Sequence, residues 1–245
     1  MNMKKQLINK LKQIIIPIIF YTTFVIYDVM ESYPKIHEDN RGQLLIPLEL
    51  KLSDEEYRFY RELKVDWTIP PIKREDLPNE FSKKACKLVD LFRRKTINLN
   101  FECMLYFDYK TGEIIYCFIG EEDCVENTID EFYFKNKHIA SIHNHTNNNL
   151  SPPSPENFEI LKIRNEEYEL ISTQHNLWIL EAKGKYNEKF VKEFQDNITK
   201  IFNISIMNTK NKEFNIDELD KTYGQYLLKF IYNEKNKIKL TKKEF

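Results

Sequence analysis

Residues 137–157 read KHIASIHNHTNNNLSPPSPEN. The first seven, Lys137 to His143, place small and apolar side chains at strand spacing and predict a β-strand. Asn144 to Pro153 is polar and proline-rich and predicts a loop. Ser154 followed by Pro155 predicts a helix start, with serine as the cap and proline at the first helical position. His143 and His145 are two residues apart at the strand end. A period of 2 puts both imidazoles on one face, and two converging imidazoles suit a first-row metal, most often zinc. Asn157 lies three residues after Ser154, on the same side of the first helical turn, so both point back toward the histidines. Taken singly these residues also have plain structural readings. Ser154 is a good cap in any protein, and Asn157 can satisfy backbone groups near a helix start. Only their joint spacing points to function.

The flanking segments set the fold class. Upstream, 99–107 predicts a strand, Asp108 to Gly112 a turn, and Glu113 to Ile119 the returning strand. Thr128 to Lys137 reads as a short helix or loop. Downstream, Tyr168 to Thr173 and Leu177 to Ala182 predict a hairpin, with His175 as a turn residue. His138, at the start of its strand, reads as solvated. Helices are predicted over Ser53 to Lys64, Asn79 to Arg94, Asn187 to Phe202 and Asp217 to Asn233, each with an apolar stripe at helical spacing. Ile69 to Leu77, with Pro70 and Pro71 ahead of Pro78, predicts a linker. Residues 28–50 are irregular. The order is helices, strands, a strand–loop–helix unit, strands, then helices, which is a mixed α/β (α+β) domain.

Composition removes several classes of function. The 245 residues carry 37 Lys and Arg against 38 Asp and Glu, a formal charge of −1. That balance weighs against nucleic acid as the main partner. The five glycines are Gly42, Gly112, Gly120, Gly184 and Gly224. None are clustered, which excludes a Rossmann fingerprint and a P-loop, and with them nucleotide binding of those kinds. The four cysteines form no Cys-x-x-Cys pair; they read as reduced thiols of a cytoplasmic protein. Gln13 to Tyr27 is uncharged and follows Lys4, Lys5, Lys10 and Lys12. As a helix those fifteen residues span about 22 Å, short of a bilayer core of about 30 Å. Membrane association through 13–27 is left open but not favoured.

With these residues in view, the chain resembles the MPN/JAB domain metalloproteins, whose JAMM motif reads Glu…His-x-His-Pro-(x7)-Ser-x-x-Asp. Here the string is His143-Asn144-His145-Thr146-(x7)-Ser154-x-x-Asn157. The His-Asn-His form looks like the RadC-like, prokaryotic JAB branch. Glu102, on the strand before the Asp108 to Gly112 turn, fits the place of the upstream family glutamate. The resemblance covers about residues 98–184. It implies a curved mixed sheet flanked by helices, of the JAB/MPN (cytidine-deaminase-like) architecture. The domain plan is then a helical and irregular extension over 1–95, the JAB/MPN-like metal domain over 96–184, and C-terminal helices over 185–245.

Carried over position by position, the resemblance implies Zn²⁺ on His143, His145 and residue 157, with water at the open position. It implies Glu102 as general base and Ser154 as donor to the oxyanion. The reaction class is hydrolysis of a peptide or isopeptide bond in a protein or peptide substrate. Two positions depart from the family. Thr146 replaces proline, which loosens the loop. Asn157 replaces the aspartate ligand, and its neutral amide leaves the metal at +2 where a carboxylate would bring it to about +1, so affinity should fall. Two alternatives follow: a catalytically inactive JAB-like module that binds a protein partner, and, more remotely, a RadC-like DNA-associated role.

Overall fold

The computed structural model describes backbone pairing at 37–38 and 44–45, and then residues 54–121, 134, 137–146, 151–159, 166–182, 186–209, 215–233 and 238–245. The chain divides into two compact units, Met1–Leu50 and Lys51–Phe245. In the first, strands β1 (His37–Glu38) and β2 (Leu44–Leu45) pair antiparallel. The apolar run 13–27 and most of the expected helix or loop at 128–137 lie outside the described residues. Among the described residues no helix is long and apolar enough to cross a membrane.

The second unit is a mixed α/β domain. It opens with α1 (Asp54–Glu62), a 3-10 turn (Arg74–Asp76) and α2 (Lys83–Thr96). Strands β3 (Cys103–Asp108), β4 (Glu113–Ile119) and β5 (Ile139–Asn144) follow, then a 3-10 helix over Pro155–Glu159. Strands β6 (Glu166–Ser172) and β7 (Asn176–Ala182), helices α3 (Glu188–Thr209) and α4 (Ile216–Asn233), and strand β8 (Ile238–Glu244) complete it. The sheet order is β4-β3-β5-β6-β7-β8. All its pairings are antiparallel except β5 with β6, which run parallel.

Alternation along the strands separates two buried faces. Cys103, Leu105 and Phe107 of β3, Ala140 and Ile142 of β5, and Tyr168 and Leu170 of β6 pack under α1 and α2. Helix α2 buries Ala85, Val89 and Phe92 on that side, a spacing of one helical stripe. Ser82 caps it, its hydroxyl accepting from the Ala85 N–H at 3.1 Å. The opposite face, through Ile171, Trp178 and Leu180, packs on α3 and α4. The helices within 54–96 therefore belong to the same unit as the sheet.

Several elements differ from the sequence expectation. The first strand of the pair begins at Cys103, not at 99. The helix expected from Asn79 begins at Lys83, where Ser82 supplies the cap. The turn after Ser154 is a 3-10 helix as far as Glu159, not a regular α-helix start. The C-terminal region ends in a strand as well as helices: β8 pairs along β7 and closes the sheet edge. Its lysines masked an alternation in which Ile238 and Leu240 turn inward.

The β3–β4 turn matches the sequence reading. Asp108 accepts from the N–H groups of Lys110 and Thr111 at 2.8 and 2.9 Å. Burial alone would raise its carboxyl, but these bonds and the one from the His138 N–H hold it below its ordinary value. Gly112 adopts φ +72°, and a Cβ there would lie 2.5 Å from Lys84 Cβ and 2.8 Å from Ala85 N. Glycine is required both for the left-handed backbone and for the close approach of α2. Gly112→Ala is expected to destabilise the domain by about 2 kcal/mol or more, measured by urea unfolding; an unchanged midpoint would show that the helix yields freely.

Candidate metal centre

The centre is built at the carboxyl end of β5. His143 is buried opposite Met104 of β3 and beside Ile171 of β6. His145 extends the line, its backbone N–H bonding Ser172 O at 2.9 Å. The two imidazoles converge: their Nε2 atoms are 3.1 Å apart. Asn157 comes in from the 3-10 helix. Its Oδ1 accepts the Ser154 N–H at 2.7 Å, and its Nδ2 lies 3.3 Å from His143 Nε2 and 3.3 Å from Glu169 Oε1. The sequence-predicted residues His143, His145, Ser154 and Asn157 are thus gathered into one place.

Ser154 does so through its backbone. The bond at the helix start runs from its N–H to Asn157, the reverse of the expected hydroxyl cap, and its half-buried side chain is not used there. Glu102 is buried at the foot of β3. Its backbone is fixed by bonds to Glu121 O and from the Gly120 N–H, both 2.7 Å. The register pairs Met104 with His143. Carried on by two residues, it puts Glu102 level with His145 and on the same strand face.

Asn144 and Glu169 were missed from sequence. Asn144, between the two histidines, accepts the Cys103 N–H at 2.8 Å and donates to Phe101 O at 3.0 Å. Its side chain holds the chain on both sides of Glu102 and so levels that residue with the imidazoles. Glu169 sits mid-strand on β6, buried beside Asn157 and His143. A signal existed for it: a charged residue between Tyr168 and the apolar pair Leu170 and Ile171 of a predicted strand. His138 and His175 stay apart, the first largely exposed near Glu167 and the second at the β6–β7 turn, as expected.

Burial, and then its neighbour His145, lower the pKa of His143 well below the ordinary imidazole value. The ring is neutral at physiological pH, the form that binds metal. Two nitrogens bound tetrahedrally to zinc at about 2.05 Å each stand about 3.3 Å apart. The observed 3.1 Å is close to that separation, so the imidazole pair fits the ion. The third position fits after one change: the Asn157 amide has to turn over to offer oxygen, giving up the Ser154 bond. Among the described residues no group of three or more His, Cys, Asp or Glu converges for a metal ion; the donor set is two histidines and an amide.

A cavity of about 640 Å³ is lined by Thr146, the residue after His145, and by Ser151, Thr173, Trp178, Asp220 and Gly224 among others. Ser151 Oγ accepts from Trp178 Nε1 at 3.3 Å and Asn176 Nδ2 at 3.1 Å. A Cβ on Gly224 would lie 3.2 Å from the Trp178 ring, so α4 packs closely on the indole. Burial pushes the Asp220 carboxyl up to about 6, against the pull of the Ser151 N–H.

Asn144→Ala leaves the buried Cys103 N–H without its acceptor and is expected to cost about 1–3 kcal/mol. Equal denaturation curves for variant and wild type would count against the clamp. Asp220 is an acid whose folded pKa lies above its unfolded one. Its favourable contribution is complete below the unfolded value and is lost as pH rises through about 6. Asp220→Asn is therefore expected to raise the melting temperature at about pH 7.5 and change it little at about pH 4. Equal shifts at both pH values would contradict it.

Comparison of the chain with protein-family models, with curated proteins and with solved structures finds no match.

Proposed function

We propose that residues 51–245 form a zinc-dependent hydrolase of peptide or isopeptide bonds, of the kind that the JAMM-like string implies. The observation that carries this is the convergence of the buried His143 and His145 Nε2 atoms, 3.1 Å apart, beside Asn157 and on the strand face of Glu102. His143 and His145 would hold the ion, with Asn157 completing the set through its oxygen. Zinc bound there supplies a Lewis acid and lowers the pKa of water toward neutrality.

The chain's own groups do the rest. Glu102 takes the proton of the attacking water and passes it to the leaving amine; its burial and its fixed backbone keep it level with the histidines. The Ser154 hydroxyl, not used in the helix cap, donates to the developing oxyanion. The cavity from Thr146 to Asp220 receives the peptide beside the bond to be cut. The free, buried thiols of Cys86, Cys103 and Cys117 support a cytoplasmic setting.

A second reading is favoured by one specific observation. Asn157 turns its oxygen to Ser154 and its NH₂ to His143, as it would in a metal-free module that binds a protein partner. A RadC-like DNA role draws support only from the family likeness.

The test is the zinc content of purified protein by elemental mass spectrometry beside His143→Ala, together with hydrolysis assays on Glu102→Gln. The hydrolase reading expects about one zinc per chain in the wild type and none in His143→Ala. It expects Glu102→Gln to keep zinc and lose about 10²-fold or more in rate. An undiminished rate in Glu102→Gln would sink the mechanism. No zinc even with excess metal, and its appearance in Asn157→Asp, would show that Asn157 silences the centre, overturn the hydrolase reading and favour the partner-binding one.

A further inference from the structure

Glu169 is 6% exposed, in the middle of β6, with Ser141 of β5 as its register partner. Its Oε1 lies 3.3 Å from Asn157 Nδ2 and 3.6 Å from His143 Nδ1. Asn157 Nδ2 also lies 3.3 Å from His143 Nε2. An amide NH₂ carries two protons, so it donates to the carboxylate and to the imidazole together. A donor facing Nε2 requires a lone pair there, and a neutral imidazole then carries its proton on Nδ1. Nδ1 is the nitrogen on the Glu169 side; among the described residues it makes no hydrogen bond, and the carboxylate 3.6 Å away acts on it as a charge.

We propose that Glu169 is the carboxylate of this centre: it holds His143 as the Nδ1–H tautomer with Nε2 open to a metal, and it supplies the negative charge that Asn157 withholds from the ligand set. The tautomer part stands on the geometry alone. The charge part rests on the zinc reading above.

The pairing also accounts for the asparagine. An aspartate at 157 would set a second carboxylate against Glu169, where like charges oppose each other. An amide at the same point donates to Glu169 in the metal-free centre; turned over to offer its oxygen to zinc it would give that bond up, leaving Glu169 to act through His143. One negative charge is kept and moved from the ligand position to a neighbour of the ligand, so a zinc ion would again be brought to about +1. A carboxylate on the far nitrogen of a ligating histidine is a well-known aid to metal affinity, and its loss costs about 10–100-fold. Glu169 is in these terms a positioning residue, acting through His143.

The experiment uses the full chain and two readouts. The first is the tautomer of His143 in metal-free, ¹⁵N-histidine-labelled protein, from long-range ¹H–¹⁵N spectra with His143→Ala for assignment. Wild type is expected to show Nδ1–H. Glu169→Gln, which keeps an acceptor, is expected to preserve it, and Glu169→Leu to move part of the population to Nε2–H against the remaining Asn157 donor, with circular dichroism confirming that each variant is folded. The second readout is the Zn²⁺ dissociation constant by competition with a fluorescent chelator. Glu169→Gln is expected to weaken binding by about 10–100-fold, and Asn157→Asp combined with Glu169→Gln to restore it. An Nε2–H tautomer in the wild type, or wild-type zinc affinity in Glu169→Gln, overturns the proposal. A wild type that shows Nδ1–H yet binds no zinc upholds the hold on His143 and overturns the charge role together with the hydrolase reading.

Discussion

Parallel pairing of β5 with β6 is the constraint on which the rest depends. Two parallel neighbours cannot be joined by a tight turn, so the chain must leave the carboxyl end of β5 and return to the amino end of β6. That crossing delivers Asn157 back over the strand end it has just left, and it brings Glu169 alongside the histidine-bearing strand. On the other flank β5 pairs antiparallel with β3, which sets Glu102 at the same level. Three strands with two senses of pairing thus carry carboxylates, imidazoles and an amide to one end of the sheet. No single local signal requires this gathering; the strand order does.

Polar groups so deeply placed have to be satisfied by one another, since water is largely excluded. The structure meets much of this demand in compact ways, while His143 Nδ1 and Ser141 Oγ are buried without a hydrogen bond among the described residues. Asn144 replaces a missing rung of backbone pairing with its side chain. Asn157 serves Ser154, His143 and Glu169 with a single amide. Elsewhere Arg93, fully buried, binds Pro70 O and Gln174 O and stacks on Phe245. Its charge ties the linker, the β6–β7 turn and the C-terminus to α2. Each of these is a short-range answer to a cost that only the tertiary fold creates.

This explains what could be read from sequence. The Glu113 to Ile119 strand and the Asp108 to Gly112 turn were legible because period-2 alternation and a left-handed glycine are local properties. His143, His145, Ser154 and Asn157 were legible as a set because their spacing is. Glu169 was not, since its meaning depends on which strand lies beside β5. Strand β8 was hidden by Lys239, Lys242 and Lys243, charges that suit a sheet edge and also resemble a solvated tail. The tight turn after Ser154 follows from Pro152, Pro153 and Pro155, which constrain the backbone more than one capping serine suggests.

The two strand cysteines bear on how such a centre could be watched. Cys103 follows Glu102 in the chain, and Cys117 lies diagonally across from it on β4, both fully buried beneath α1. Burial raises both thiols, Cys103 to about 12 and Cys117 further. Neither forms thiolate at neutral pH, so neither reacts while the sheet is closed. A thiol reagent added to the native protein would then report on excursions in which α1 lifts from the sheet. Its rate at Cys103 would time the opening of the strand that carries Glu102, giving this fold a built-in clock for motion at the foot of β3.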